Sequence, residues 1–135
     1  MKRIRIYVAI AAAILGGALV AQTDTEYQGW MKQVGATNGK LKGDIAAKNA
    51  DAATADAKTL EGTFKQVADF WGKRNDKDAA NIAMQAQTAA AAIPAAVAAG
   101  NFDLAAMNAQ TIGGTCAGCH MAHREKGADG TFKIK

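Results

Sequence analysis

Apolar residues recur at alternating steps of four and three through most of this chain, and that rhythm predicts four amphipathic helices. Tyr27, Met31, Val34, Asn38, Leu41 and Ile45 make the first stripe, interrupted by one polar position at Asn38. Ala53, Ala57, Leu60, Phe64, Val67 and Trp71 repeat the same steps, with Asp51, Asp56, Lys58, Glu61 and Lys65 off the stripe. A turn from Gly72 to Asp78 separates this helix from a third, whose stripe is Ala79, Ile82, Ala86, Ala89, Ile93 and Ala96, and which Pro94 should kink. Gly100 ends the third helix and Asn101 caps a fourth. The inner positions of the fourth are read as Leu104, Met107, Thr111, Thr115 and Cys119, with the helix running to about Lys126 and a frayed tail from Gly127 to Lys135. Helices of similar length joined by short or moderate connections bury their stripes best as an antiparallel up-down four-helix bundle.

Composition supports an all-α fold. Beyond the first 21 residues the chain is rich in alanine, has a single proline and lacks runs of alternating β-branched residues. Those first residues are different: Lys2, Arg3 and Arg5 precede an apolar stretch from Ile6 to Ala21. The stretch is shorter than the ~20 residues a membrane span needs and ends in small residues, so it reads as a secretory signal peptide cleaved after Ala18 or Ala21. The mature domain, residues 22–135, is then exported without a stable membrane anchor, and a soluble periplasmic product is expected. Removing residues 1–21 takes three of the 16 basic residues, leaving 13 against 12 acidic and a net charge of +1. Nothing in that balance points to nucleic acid.

The chemistry is concentrated in one pentapeptide. Cys116, Ala117, Gly118, Cys119 and His120 spell C-x-x-C-H, and the chain has no other cysteine. Thiols at i and i+3 share a helical face and can each add to one haem vinyl group, while the adjacent imidazole is placed under the iron, so the pattern predicts one haem c held by two thioethers. Export agrees with it, because haem c is attached outside the cytoplasm, where unpaired thiols otherwise oxidise. Two other uses of the cysteines are weaker. A thioredoxin-like redox pair expects a βαβ context, and a zinc site would have to crowd Cys116, Cys119, His120 and His123 into two turns.

A C-terminal haem motif on the last of four helices resembles the class II c-type cytochromes, the cytochrome c′ family. The residues that carry this are Ala99 to Leu104, then Ile112-Gly113-Gly114-Thr115 leading into the motif, then Arg124 and Lys126. His123 departs from the pattern, which has an aromatic residue there. The resemblance implies that helix one decides what faces the sixth position of the iron. In the low-spin branch a methionine near its start ligates, and Trp30-Met31-Lys32-Gln33 resembles that segment. Met31 also lies on the apolar stripe. His123 and Met107 share a helix with His120 and are poor trans ligands, Met84 is unmotivated, and Met121 reads as gap-filling.

The expected function is therefore one-electron transfer by a His120/Met31-ligated iron, with redox proteins as partners and no enzymatic turnover. The alternative is a five-coordinate iron that binds nitric oxide or carbon monoxide. A peroxidase would need a distal acid-base group, for which helix one offers only Asn38 or Gln33. Arg124 is a candidate partner for a haem propionate, His123 a residue at the haem edge, and Lys32, Lys40 and Lys42 a solvated face. Trp30, Phe64, Phe70 and Trp71 are candidates for haem contact. Homodimers are common in the resembling family, but no stripe here can be assigned to an interface. An alanine-rich core contributes little apolar area, so chain lacking haem should be less helical or less stable than the loaded protein. Circular dichroism of the haem-free chain tests this; a thermal transition equal to that of the loaded protein would remove the idea.

Overall fold

The computed structural model describes residues 23–135; the expected signal peptide and its cleavage positions lie outside the described residues. Four helices of nearly equal length follow one another: α1 (Asp24–Ala46), α2 (Ala50–Lys73), α3 (Lys77–Ala98) and α4 (Phe102–His123). They pack as an all-α four-helix bundle, most extensively between α2 and α3 and least, among adjacent pairs, between α1 and α4. A two-stranded antiparallel hairpin, β1 (Arg124–Lys126) and β2 (Phe132–Ile134), closes the chain with Arg124 opposite Ile134 and Lys126 opposite Phe132. Among the described residues no helix is long and apolar enough to cross a membrane.

One local device makes all three interhelical turns. After each helix a single residue adopts left-handed backbone, Lys48 at φ 56°, Asn75 at φ 60° and Gly100 at φ 72°. The next residue sends its N–H back to a carbonyl five positions earlier, Asn49 to Asp44, Asp76 to Trp71 and Asn101 to Ala96, satisfying carbonyls that the helix end leaves free. That same residue then caps the following helix. Asn49 Oδ1 accepts from the N–H of Ala52 at 3.2 Å, Asp76 Oδ1 from Ala79 at 3.0 Å and Asn101 Oδ1 from Leu104 at 3.0 Å. The first helix opens with a capping box, in which Thr23 N–H donates to Glu26 Oε2 at 2.7 Å and Thr23 Oγ1 accepts from Glu26 N–H at 3.3 Å. The turn expected from Gly72 to Asp78 is thus only three residues long.

The main core joins all four helices through Leu41, Leu60, Ile93 and Ile112, each fully buried, with alanines between them. A second cluster gathers Tyr27 from the start of α1, Phe70 and Trp71 from the end of α2, and Ala79 and Ala83 from the start of α3. Ends that are distant in the chain meet there, as antiparallel packing requires.

The stripes of α1 and α2 are as expected, except that Asp56, read as lying off the α2 stripe, is buried beside it with Lys40 Nζ 3.4 Å from its Oδ1. On α3, which runs unbroken through Pro94, Ile82 is only half-buried and Ala83 takes its inward place. The reading of α4 is corrected. Leu104, Met107 and Thr111 are exposed, and the inward face is Ala105, Ala109 and Ile112, continuing to a half-buried Cys116. Alanine lets α4 approach α3 closely, and the larger side chains are displaced to solvent. The helix also stops at His123 rather than Lys126, and the expected frayed tail is the hairpin.

Lys48 carries a Cβ in a conformation that costs an L-residue roughly 1 kcal/mol and spares glycine. Lys48→Gly should therefore raise the urea midpoint by an amount equivalent to about 0.5–1 kcal/mol with the slope unchanged. An unchanged or lowered midpoint would contradict this account of the turn.

Candidate cofactor site

Where α1 and α4 part, at the end of the bundle that holds the aromatic cluster, the surface opens into a mostly apolar cleft of about 430 Å³. That lies within the ~300–1,000 Å³ usual for small-molecule and cofactor sites. Its walls come from three places: Tyr27 and Met31 on α1, Cys119 and His120 on α4, and Phe132 and Ile134 on the hairpin. Behind it a gap of about 20 Å³ extends into the bundle, bounded by Phe64, Ile82 and Cys116, and again by Met31, Cys119 and His120.

The expected site residues are distributed as follows. Met31, Cys119 and His120 line both spaces; Cys116 reaches only the inner gap and Arg124 only the outer cleft. Phe64 faces the inner gap, whereas Trp30, Phe70 and Trp71 line neither space and pack within or against the aromatic cluster. Of the methionines among the described residues, Met31 alone lines the cleft; Met84, Met107 and Met121 are exposed. Lys32 also lines it, while Lys40 lies 3.4 Å from Asp56.

His123 is not free to act as a ligand. Its Nδ1 lies 3.2 Å from Asp76 Oδ2 and its Nε2 2.9 Å from Asp78 Oδ2, with the ring 5.3 Å from that of Trp71. Asp76 thereby serves two partners, since its other oxygen caps α3. These contacts tie the end of α4 to the start of α3 beside the cleft. Neither acid stood out in the sequence, where Asp76 and Asp78 lay inside the expected turn.

Electrostatics set the protonation of the motif. Both cysteines are free thiols. Burial pushes the Cys116 thiol up, and burial, helped by negative charge at Cys116, Asp76 and Asp78, pushes Cys119 up to about 11. Nucleophilic redox thiols are shifted in the opposite direction. Burial, with the Arg124 guanidinium second, moves His120 below its usual range, so at neutral pH it presents the uncharged imidazole that a metal accepts.

The donor set tests which group would fit. Among the described residues no three His, Cys, Asp or Glu side chains are gathered to hold a bare ion. A haem asks for something else, namely two unoxidised thiols at i and i+3, a neutral imidazole beside them, an apolar cleft of cofactor size and a sulfur donor from another helix. These residues fit it.

Comparison with family models, with curated proteins and with solved structures finds no match to this chain.

Tyr27 offers a check on the buried wall of the cleft. Its hydroxyl accepts from Trp71 Nε1 at 3.3 Å, and burial, only partly offset by that bond, raises its ionisation to about 12. The unfolded phenol loses its proton near 10, so between pH 10 and 12 the folded state binds more protons and stability should fall as pH rises. Tyr27 is the only tyrosine beyond residue 21. In a chain without the first 21 residues, tyrosinate absorbance should stay silent until about pH 12 or until unfolding; a reversible rise centred at pH 10 would refute the buried placement.

Proposed function

We propose that this chain is an exported monohaem c-type cytochrome that carries single electrons between redox proteins. Cys116 and Cys119 would hold the haem by thioethers, His120 would be the proximal ligand and Met31 the distal one. The observation that carries the reading is that Met31, on α1, shares the cleft with Cys119 and His120 of α4. It would supply a sulfur donor from outside the helix that bears the motif.

The haem, when bound, supplies a one-electron iron couple. What the chain contributes is position, exclusion of water and choice of ligand. The covalent anchors sit on a helix whose inward face is fixed by Ala105, Ala109 and Ile112, all buried. Met31 packs against both core clusters, so its backbone is fixed while its unbranched side chain keeps the adaptability of a thioether. A soft sulfur ligand favours the reduced state and can stay in place in both oxidation states, which keeps reorganisation small. The apolar walls around Tyr27 and Phe64 add to that preference by keeping water out. Asn38 and Gln33, the acid-base candidates of α1, do not line the cleft.

Optical spectra of the purified protein, oxidised and reduced, with and without carbon monoxide, test the reading. A low-spin spectrum with a near-infrared sulfur-to-iron band, insensitive to carbon monoxide and lost in Met31→Ala, is expected. A high-spin spectrum that shifts with carbon monoxide would replace electron transfer by binding of nitric oxide or carbon monoxide, with Met31 an ordinary core residue.

A further inference from the structure

The C-terminal hairpin is too small to stand alone. Its strands have three residues each, and two-stranded ribbons are at best marginal in water without an apolar face to pack. Here it is held by several separate contacts. The N–H of Lys135 donates to the carbonyl of His123 at 3.1 Å, and the Gln28 side chain of α1 donates to the Phe132 carbonyl at 3.5 Å. Ile134 packs against the aromatic cluster. The Arg124 guanidinium lies 3.9 Å above the Phe132 ring, an arrangement that favours cation–π attraction. The turn is closed by Asp129, whose carboxylate accepts from Thr131 N–H and Oγ1 at 3.0 and 2.7 Å, and by Gly130 at φ 80°.

These contacts fix the hairpin across the cleft mouth, where Phe132 and Ile134 form a wall of the space shared by Met31, Cys119 and His120. Ile134 has protein to cover it. Phe132 is 49% exposed in spite of Arg124, and it borders an apolar space. An aromatic ring tethered in this way, half-exposed beside an apolar cleft, is placed for an apolar partner in that cleft.

Resting on the haem reading above, we infer that the hairpin is part of the cofactor site: Phe132 covers an exposed edge of the haem and restricts the entry of water and small ligands to the iron. Arg124 then has two roles, orienting the ring and supplying positive charge at a cleft whose lining includes Lys32 and no carboxylate, as suits the two propionates.

The test uses the full haem-loaded chain and the variants Phe132→Ala and Phe132→Gln, with Met121→Ala as the control. Met121 is 77% exposed and lies away from the cleft. Haem content is read first as the pyridine haemochrome, then the midpoint potential and the affinity of the ferric protein for imidazole. Both Phe132 variants should lower the potential and bind imidazole about tenfold more tightly, the scale expected from losing a half-buried aromatic contact. The thermal midpoint should barely move, Phe132→Leu should keep most of the parent's potential and imidazole affinity, and Met121→Ala should match the parent. If the parent carries haem but the potential and imidazole affinity of the variants are unchanged, the hairpin has no part in the site and the cytochrome reading stands. A parent chain with no covalent haem overturns both. Glutamine keeps the residue's length, so the experiment does not depend on the alanine variant accumulating.

Discussion

The site exists because one adjacent helix pair does not close. Alanines along α3 and α4 let those helices approach closely, and α2 against α3 is the most extensive contact in the bundle. Between α1 and α4 the packing is the sparsest of the four adjacent pairs. At that end Tyr27 stacks on Phe70 at 4.6 Å and meets Trp71 edge-on at 5.6 Å, so the start of α1 is held through α2 rather than by α4. Aromatic pairs at such distances prefer offset and edge-on geometry, which makes the cluster directional as well as apolar. Met31 lies at the boundary of this cluster and the main core. The proposed ligands are therefore positioned by two different packing systems, the aromatic end for α1 and the small-residue seam for α4.

Legibility of the fold followed the size of the inward residues. In α1 and α2 the largest apolar side chains point inward, so the four-and-three rhythm located the true faces. In α4 it failed because Leu104 and Met107, two large apolar residues, face solvent. The face was there to be read in Ala105, Ala109, Ile112 and Cys116, but alanine carries too little hydrophobic signal to outweigh a leucine. The motif itself was legible because its spacing is chemical rather than topological. Met31 was singled out by two separate criteria, the stripe and the family resemblance; it is half-buried against both core clusters and lines the cleft.

The hairpin was hidden for other reasons. Three-residue strands give almost no alternation, and Arg124, Glu125 and Lys126 read as an exposed helix end. The available signals were local: Asp129, Gly130 and Thr131 form a turn, and Phe132 and Ile134 are two apolar residues at an alternating spacing of two. What stabilises them is tertiary: Ile134 packs against the aromatic cluster, and Gln28, 104 positions earlier in the chain, donates to the Phe132 carbonyl. The same holds for His123, whose bonds to Asp76 and Asp78 depend on the turn before α3 reaching the end of α4.

These two late additions bear on the ligand question. A histidine three residues after the motif is a plausible competitor for iron on composition alone, yet both its ring nitrogens face carboxylates. Freeing Nδ1 would take a partner from the part-buried Asp76 and loosen one tie between the end of α4 and the start of α3, whereas Asp78 is largely exposed and Met31 needs only rotation of an unbranched side chain. His120 has no such engagement, and burial keeps its imidazole uncharged. His120 and His123 both line the cleft, but the ring nitrogens of His123 face Asp76 and Asp78, so His120 is the uncommitted imidazole there and Met31 the thioether on the facing helix. Under the proposed haem reading, that arrangement would favour His120 over His123 before any cofactor is bound, because His123 is already engaged with the start of α3.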